Sequence, residues 1–299
     1  MSEVYRRGSC FVSTAMHDSI MSLFNDSKQG WPRMKKIFFA GLSLFLILFF
    51  HTVFGQEIKT GTISGQLMTK GGSPLSGGQA FFFNNASGPP PSADKYWRIP
   101  DYVTRIDEQG KFSLNLPEGT YYLGAIKRIS GEKIGPPKEG DYFFASMDDK
   151  GLPKSYLVKR GMKNDIGTIS EAIPFQKSVS KPGTEITAVE GTILDTEGNP
   201  VVGALVFAYT SPTMVGKPLF ASERTGKDGH YTLRVYDNGN YYLRVRSVYG
   251  GGPPAIGEII GFYGEKEPIA VSTRKGEKMQ GVNILVRRFY GKKTMMPMK

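Results

Sequence analysis

The chain has 299 residues, and its 38 lysines and arginines outnumber its 27 aspartates and glutamates, for a formal net charge of +11. Its single cysteine, Cys10, lies near the N-terminus, so the rest of the chain has no disulfide, no thiol nucleophile and no thiolate metal site. Such a chain has to be stabilised by core burial alone, which domains of about 100 residues achieve.

The first predicted element is a secretory leader over residues 34–55, which we expect to form an N-terminal hydrophobic helix. Two lysines precede an apolar run, Ile37–Phe50, and the small residue Gly55 stands directly before Gln56. A basic start, a short apolar stretch and a small residue at the cut are the three parts of a signal peptide, so we predict cleavage between Gly55 and Gln56. Extended over residues 37–54, the run approaches the length of about 20 residues that spans a bilayer, so an inner-membrane anchor is the alternative.

Residues 1–33 do not belong to this pattern, because they are mixed and polar. Signal peptides begin at the N-terminus, so one interpretation is that Met34 is the true start and Met1 belongs to an over-extended gene start. The other interpretation is a cytoplasmic tail that precedes a signal anchor and is held inside by its basic residues.

After the leader the chain repeats itself with a period of about 120 residues. The equivalent segments are Ile63-Ser64-Gly65 with Val189-Glu190-Gly191, Gly72-Ser73-Pro74 with Gly198-Asn199-Pro200, Phe81 with Phe207, and Gly119–Leu123 with Gly239–Leu243. This period is too long for a solenoid repeat and is typical of a whole domain. The sequence therefore predicts two related domains, at residues 57–176 and 184–290, with a polar linker at 177–183 and a basic tail at 291–299.

Strand patterns dominate both predicted domains. In the first, Phe112, Leu114 and Leu116 alternate with polar residues, and Tyr231, Leu233 and Val235 do the same in the second. Period two places one set of side chains in a core and the other in water. Turn residues such as Asp228-Gly229 precede these strands and suit tight hairpins. Short strands separated by frequent turn signals predict an all-β chain of antiparallel sandwiches.

The second copy carries a family resemblance. Its motifs are Gly191-x-Ile193-x-Asp195-x-x-Gly198-x-Pro200-x-x-Gly203-Ala204-x-Val206, Thr225-x-x-Asp228-Gly229-x-Tyr231 and Gly239-x-Tyr241-x-Leu243-x-Val245. They resemble the carboxypeptidase regulatory-like domain. The first copy is less similar, because Met68-Thr69-Lys70 replaces the Asp-containing turn and an insertion separates Phe83 from Thr104. The resemblance implies two tandem seven-stranded Greek-key sandwiches of the transthyretin type, which form an accessory and generally non-catalytic module.

The sequence offers no set of catalytic residues. The exported part contains one histidine, His230, at a strand start on the polar side of the alternation, where a solvated side chain is expected. One histidine cannot form a zinc site, and no Gly-x-Ser-x-Gly motif accompanies it. Asp141, Asp148 and Asp149 contain carboxylates that suit calcium, but they lack the Asp-x-Asp-x-Asp-Gly spacing, which favours a solvated turn. We therefore predict no enzyme activity, no metal and no cofactor.

The candidate binding residues lie on the insertion and on one strand. The insertion, Asn84–Tyr102, contains three consecutive prolines followed by Tyr96, Trp97 and Tyr102, which are residue types that anchor interfaces and stack on sugars. The alternative for Trp97 is that it plugs one end of a sandwich. Arg244 and Arg246 alternate with apolar residues, which predicts that both guanidinium groups lie on one exposed sheet face.

A further pair of loops is repeated. Gly135-Pro136-Pro137 and Gly252-Pro253-Pro254 each precede an aromatic cluster, and this repetition favours a common structural role, such as covering a sheet edge.

These features together predict an exported, non-catalytic binding or scaffolding protein of the bacterial periplasm or cell surface. The predicted partners are an envelope protein or polysaccharide, with an anionic membrane surface as a further candidate for the positive charge. Export disfavours nucleic acid as a partner. The alternative function is a carbohydrate-binding module that uses the aromatic residues of the insertion.

Overall fold

The structure is a computed structural model that describes residues 60–131, 135–176, 185–249 and 252–291. The predicted extension and leader, with Gly55 and Gln56, lie outside the described residues, as do the whole linker and most of the basic tail. Within the described ranges the chain forms seventeen strands and one 3₁₀ turn, Asn85–Ser87, which confirms the prediction of an all-β chain. None of the described segments is a helix long and apolar enough to cross a membrane.

Eight strands form the first sheet. They are β1 (Thr60–Thr69), β2 (Gln79–Asn84), β3 (Tyr102–Arg105), β4 (Lys111–Pro117), β5 (Gly119–Lys127), β6 (Tyr142–Ala145), β7 (Ser155–Val158) and β8 (Lys163–Pro174). Their order is β3-β2-β5-β6-β8-β1-β4, and β7 pairs with the other half of β5. The sheet folds over on itself, and we call it the first sandwich.

Nine strands form the second sheet, the second sandwich. They are β9 (Thr187–Leu194), β10 (Leu205–Tyr209), β11 (Phe220–Ala221), β12 (His230–Val235), β13 (Gly239–Arg246), β14 (Ile259–Phe262), β15 (Ala270–Thr273), β16 (Lys278–Met279) and β17 (Ile284–Arg288). Their order is β11-β10-β13-β14-β17-β9-β12, with β15 paired to β13 and β16 paired to β9. Strand for strand, this is the order of the first sandwich.

The pairing differs in one respect from the purely antiparallel arrangement that the hairpin signals predict. β1 runs parallel to β8, and β9 runs parallel to β16 and β17. Parallel neighbours need a long connection rather than a hairpin, and β8 and β17 both come at the end of their repeat, far along the chain from β1 and β9. The antiparallel prediction is therefore wrong for these pairs, because turn residues report only on strands that are consecutive in sequence.

Each sandwich encloses its own apolar core, and the predicted alternation places the expected side chains there. In β4, Phe112 and Leu116 are buried, and in β12, Tyr231, Leu233 and Val235 are buried. The first core is built around Ile63, Leu67, Phe82, Leu116, Tyr121 and Leu123. The second is built around Val189, Ile193, Val206, Phe220, Leu233 and Leu243.

Strands β2 and β10 depart from alternation, because they are buried on both faces. Phe81, Phe82 and Phe83 of β2 are all buried, and so is every residue of β10. A continuous apolar strand indicates that something covers both of its sides. The inner faces contribute to the two cores, and the outer faces are covered by the insertion, which forms the centre of the candidate site.

Candidate functional site

Trp97 of the insertion lies between the two sandwiches. Its ring packs edge-on against Phe81 on the outer face of β2, with 6.1 Å between ring centroids. It also belongs to the apolar cluster that Phe207 and Tyr249 form on the second sandwich. Trp97 therefore does not plug the end of one sandwich, so that alternative is wrong, and its role as a binding residue stays a prediction. The sequence could not show this, because the residues it contacts lie up to about 150 positions away.

The backbone of the insertion extends the second sheet. The amide of Ile99 donates to the carbonyl of Leu219 (2.9 Å), and the amide of Ala221 donates to the carbonyl of Trp97 (3.3 Å). Arg98 and Phe220 form an antiparallel bridge between these two bonds. β11 is a two-residue edge strand, and the insertion satisfies the outer edge that it would otherwise expose.

Tyr96 is buried rather than available to a partner, with only 4% of its surface exposed. Its ring packs against Phe220 (5.2 Å between centroids) and Tyr236 (5.8 Å), and its hydroxyl donates to the carbonyl of Pro90 (2.7 Å). Burial, followed by the neighbouring Tyr236, raises the pKa of Tyr96 well above its ordinary value. The predicted exposure of Tyr96 is wrong because the insertion folds into the second core.

Arg98 is the feature of the insertion that the sequence did not single out. Its side chain is fully buried and donates to the carbonyls of Asn84 (2.6 Å), Gly88 (3.0 Å) and Pro89, and to the carboxylate of Asp101 (3.0 Å). Burial lowers the pKa of Arg98, while Asp101 opposes that shift. This one cation satisfies the carbonyls that the proline-rich bend turns inward. Its only signal in the sequence is its position in the otherwise uncharged run from Tyr96 to Pro100.

Asp101 also links the insertion to the second sandwich. Its second carboxylate oxygen lies 2.5 Å from the Nζ atom of Lys217, whose side chain is 35% exposed. Burial lowers the pKa of Lys217, with the hydrogen bond to Asp101 acting against it. A buried arginine and a lysine from the other sandwich thus share one carboxylate.

Replacing Lys217 with alanine is expected to lower the free energy of unfolding by only about 0.5 kcal/mol, because water screens partly exposed ion pairs. Urea unfolding measures the change, and the exposed Lys266→Ala variant is the control. A loss above about 2 kcal/mol would contradict this estimate and would identify the pair as a principal link between the sandwiches.

Tyr102 and Arg244 are more accessible than Tyr96. Tyr102 begins β3, is 36% exposed and packs edge-on against Tyr121 (6.0 Å between centroids). Arg244 is half-buried, with its guanidinium carbon 5.7 Å from the centre of the Tyr209 ring. Tyr102 therefore lies on the first sheet while Tyr96 packs inside the second, so the two do not form a single exposed patch.

Arg246 is buried, so the prediction of an exposed pair of arginines is wrong for this residue. Its Nε atom lies 2.5 Å from one carboxylate oxygen of Glu258, and an outer guanidinium nitrogen lies 2.8 Å from the other. This hydrogen bonding raises the pKa of Arg246 and lowers the pKa of Glu258. The alternation correctly assigns Arg246 to the face of β13 that Arg244 occupies, but the chain that returns through Glu258 covers that face.

The first sandwich contains the same arrangement. Arg128, just after β5, lies 3.3 Å from the carboxylate of Asp141 and donates to the carbonyls of Gly135 and Pro136 (2.8 Å to Pro136). In the second sandwich Arg246 likewise donates to Gly252 (3.3 Å). The two Gly-Pro-Pro loops therefore share a structural role, in which an arginine at the end of a strand holds the loop and a buried carboxylate.

Asp141 has no free oxygens for calcium. It is fully buried and accepts hydrogen bonds from the amides of Ile129 (2.7 Å), Ser130 (2.9 Å) and Lys138 (3.0 Å). Burial alone would raise the pKa of Asp141, but these backbone hydrogen bonds lower it below its ordinary value. Asp148 caps its own turn by accepting from the amides of Lys150 and Leu152. Across the described ranges, no three histidines, cysteines or carboxylates group to hold a metal ion.

The buried carboxylates of Asp141 and Glu258 are expected to make the protein less stable in acid. Their pKa values are depressed in the folded state, so their contribution is present above the ordinary values of 3.8 and 4.5 and is lost as the pH falls through the folded values. We expect Glu258→Gln to lower the free energy of unfolding by about 2 kcal/mol at neutral pH. The free energy of unfolding of this variant should also fall less steeply as the pH is lowered, because the variant has no carboxylate at 258 to protonate. Urea unfolding between about pH 7 and 3 tests this against exposed Glu265→Gln, and parallel pH curves for all three proteins would contradict it.

A groove of about 370 Å³ lies where the insertion meets the second sandwich. Trp97 and Pro136 line one side, and the outward face of β9, β12 and β16 lines the other, including His230. His230 is exposed, as predicted, and no side-chain hydrogen bond of this ring is found among the described residues. Histidine, indole and several charged side chains thus share one open cleft, and this is the candidate functional site.

The charged side chains of the groove stand in a defined row. Ala188 of β9 is flanked by Arg234 of β12 on one side and by Lys278 of β16 on the other. Strands lie about 4.8 Å apart, so the α-carbons of the two cations are separated by about 10 Å across a methyl group. Glu190 lies next along β9 on the same face, opposite Thr232. The groove can therefore bind an anionic group and accept hydrogen bonds beside it.

No protein-family model and no curated protein matches the chain. Among solved structures it is similar to a Streptococcal ancillary pilin (16% identity, TM-score 0.24, over 78% of this chain and 64% of the pilin). It is also similar to the shaft pilin spaA of Lactobacillus rhamnosus GG (11%, 0.21, 77% and 98%) and to a DUF3823 family protein of Bacteroides uniformis (10%, 0.24, 72% and 99%).

These likenesses are remote. The chain spans less than two thirds of the ancillary pilin. At identities of 10–16% and TM-scores of 0.21–0.24, they do not bear on activity or partners.

Proposed function

We propose that this chain is an exported, non-catalytic binding and scaffolding protein of the bacterial envelope, built from two carboxypeptidase regulatory-like sandwiches. The observation that carries the proposal is the position of Trp97, which packs on the outer faces of β2 and β10 at once. The backbone bonds between the insertion and β11 reinforce this contact. A tandem joined in this way presents its surfaces at a fixed spacing, as a scaffold requires.

The cellular location follows from the leader and the composition. A basic start, an apolar run and a small residue at the cut precede Gln56, and the chain after that point has no cysteine. The stability of that part rests on two apolar cores and on the ion pairs of Arg98, Arg128 and Arg246 with their carboxylates. Such a chain suits the periplasm or the cell surface, with an envelope protein or polysaccharide as its partner.

Carbohydrate binding is the second candidate, and the groove favours it. A partly accessible indole beside polar and charged side chains is the usual composition of sugar sites, because pyranose rings offer both an apolar face and hydroxyl groups. Trp97 lines the groove together with His230 and Arg234. Tyr96 and Trp97 both line the groove, but Trp97 is half-buried whereas Tyr96 is only 4% exposed, so Trp97 is the more accessible of the two.

Cell fractionation and sedimentation test the proposal. The full-length chain, tagged at its C-terminus, is expressed in a bacterium and is expected in the envelope or secreted fraction with Gln56 as its first residue. The purified protein is then sedimented with isolated envelope material. The double variant Arg234→Glu/Lys278→Glu is expected to remain in the supernatant, because it reverses the charge of the groove.

The matched control is Arg287→Glu/Arg288→Glu, which makes the same charge change on exposed residues of β17. It should sediment like the unchanged protein. A cytoplasmic location, or equal sedimentation of both double variants, would overturn the proposal.

A further inference from the structure

We propose that the groove binds an acidic oligosaccharide, with a sugar carboxylate held between Arg234 and Lys278. This inference rests on the proposed binding function and specifies the ligand class of the same groove. Three features of the groove lead to it: two cations with unused donors, a carboxylate beside them and an accessible indole.

The cations face each other across the smallest side chain of the row. Arg234 and Lys278 flank Ala188, and their α-carbons lie about 10 Å apart. These two long side chains stand on either side of a methyl group, and a single carboxylate can accept hydrogen bonds from both. Arg234 makes one weak contact, 3.4 Å to the carbonyl of Asp94, so most of its donors are available. Among the described residues, no carboxylate lies within ion-pair distance of either cation.

Glu190 decides which anion fits. It lies one position along the same face of β9, and its carboxylate is 3.5 Å from the side-chain amide of Gln280. A dense polyanion would meet this charge and be repelled. A uronic acid instead presents one carboxylate for the cations and several hydroxyl groups that donate to Glu190.

Trp97 supplies the remaining contact. It is half-buried between the sandwiches, and its accessible part lines the groove that Arg234 and Lys278 face. A sugar ring next to the bound carboxylate can pack its apolar face on this indole. Trp97 also reports on binding, because the only other tryptophan is Trp31 in the N-terminal region.

The experiment titrates the full-length chain carrying Trp31→Phe with a trisaccharide that contains a single glucuronic acid, followed by tryptophan fluorescence and calorimetry. We expect saturable binding with a change in Trp97 emission, and no binding of the neutral trisaccharide in which glucose replaces the glucuronic acid. Arg234→Gln and Lys278→Gln should each weaken binding about tenfold or more, because each removes a charged hydrogen bond. Arg287→Gln, an equal charge change outside the groove, should leave the affinity within about twofold.

Three outcomes would overturn the inference. They are the absence of saturable binding by the folded protein, equal binding of the neutral trisaccharide or of a glutamate oligopeptide, and an equal loss of affinity in Arg287→Gln. If the protein still sediments with envelope material through its groove while the acidic trisaccharide does not bind, the ligand class is wrong and the binding function stands. If envelope sedimentation is independent of the groove, the function itself is wrong.

Discussion

Replacing Arg98 with alanine is expected to lower the free energy of unfolding by about 4 kcal/mol, because the substitution leaves several buried acceptors without a donor. Arg98 donates to the carbonyls of Asn84, Gly88 and Pro89 and to the carboxylate of Asp101. All of these bonds fix the bend that carries Trp97 to the second sandwich. The loss should therefore exceed that of any surface arginine and should also expose the insertion to proteases.

The control is Arg105→Ala, which removes an exposed arginine from β3 seven residues later. Urea unfolding of both variants measures stability, and limited proteolysis followed by mass spectrometry locates the cuts. We expect early cleavage within residues 84–102 in Arg98→Ala alone. Equal stability of the two variants, or cleavage that spares the insertion, would show that Arg98 does not organise this bend.

The regular part of the fold could be predicted from the sequence, because it depends on local patterns. Phe112 and Tyr231 stand in strands whose alternation assigns them to a core, and both are buried there. The glycine before each of these strands adopts a positive φ, as the hairpin pattern requires (81° at Gly110 and 66° at Gly229). The hydrophobic alternation of a strand and the residues of a turn each depend on only a few neighbouring positions, so a single sequence is enough to recognise them.

The candidate site could not be predicted in the same way, because it depends on which segments of the chain cover the outer faces of β2, β10 and β13. Arg246 shares a face with Arg244, as predicted, yet it is buried because Glu258 folds over it. A composition of prolines and aromatic residues suits both an exposed binding loop and a buried contact, so the insertion alone did not distinguish them. A usable signal did exist: the unbroken apolar runs at 81–83 and 205–209 indicate strands covered on both sides.

The second large effect is expected at Gly191, which lies directly opposite Tyr231 in the β9–β12 pair. A β-carbon at Gly191 would lie 2.5 Å from the carbonyl carbon of Val282 and closer still to the oxygen that accepts from the Tyr231 hydroxyl. That neighbour is backbone held by its own hydrogen bond to Glu190, so it cannot move aside at low cost. We expect Gly191→Ala to cost about 3 kcal/mol.

The first sandwich contains an equivalent glycine, which serves as the comparison for Gly191→Ala. Gly65 is the equivalent residue of the first sandwich and lies opposite Phe112. A β-carbon there would meet a side-chain atom of Ile166 at 2.7 Å, which can rotate away, and the backbone oxygen of Gly167 at 3.0 Å, which is a much looser contact than the one at Gly191. Gly65→Ala should therefore cost only about 1 kcal/mol, and Gly71→Ala, whose nearest neighbour is 3.8 Å away, should be close to neutral. Urea unfolding of the three variants should rank them in this order. A cost at Gly65 equal to that at Gly191 would mean that both glycines are required by the strand itself rather than by what packs against it.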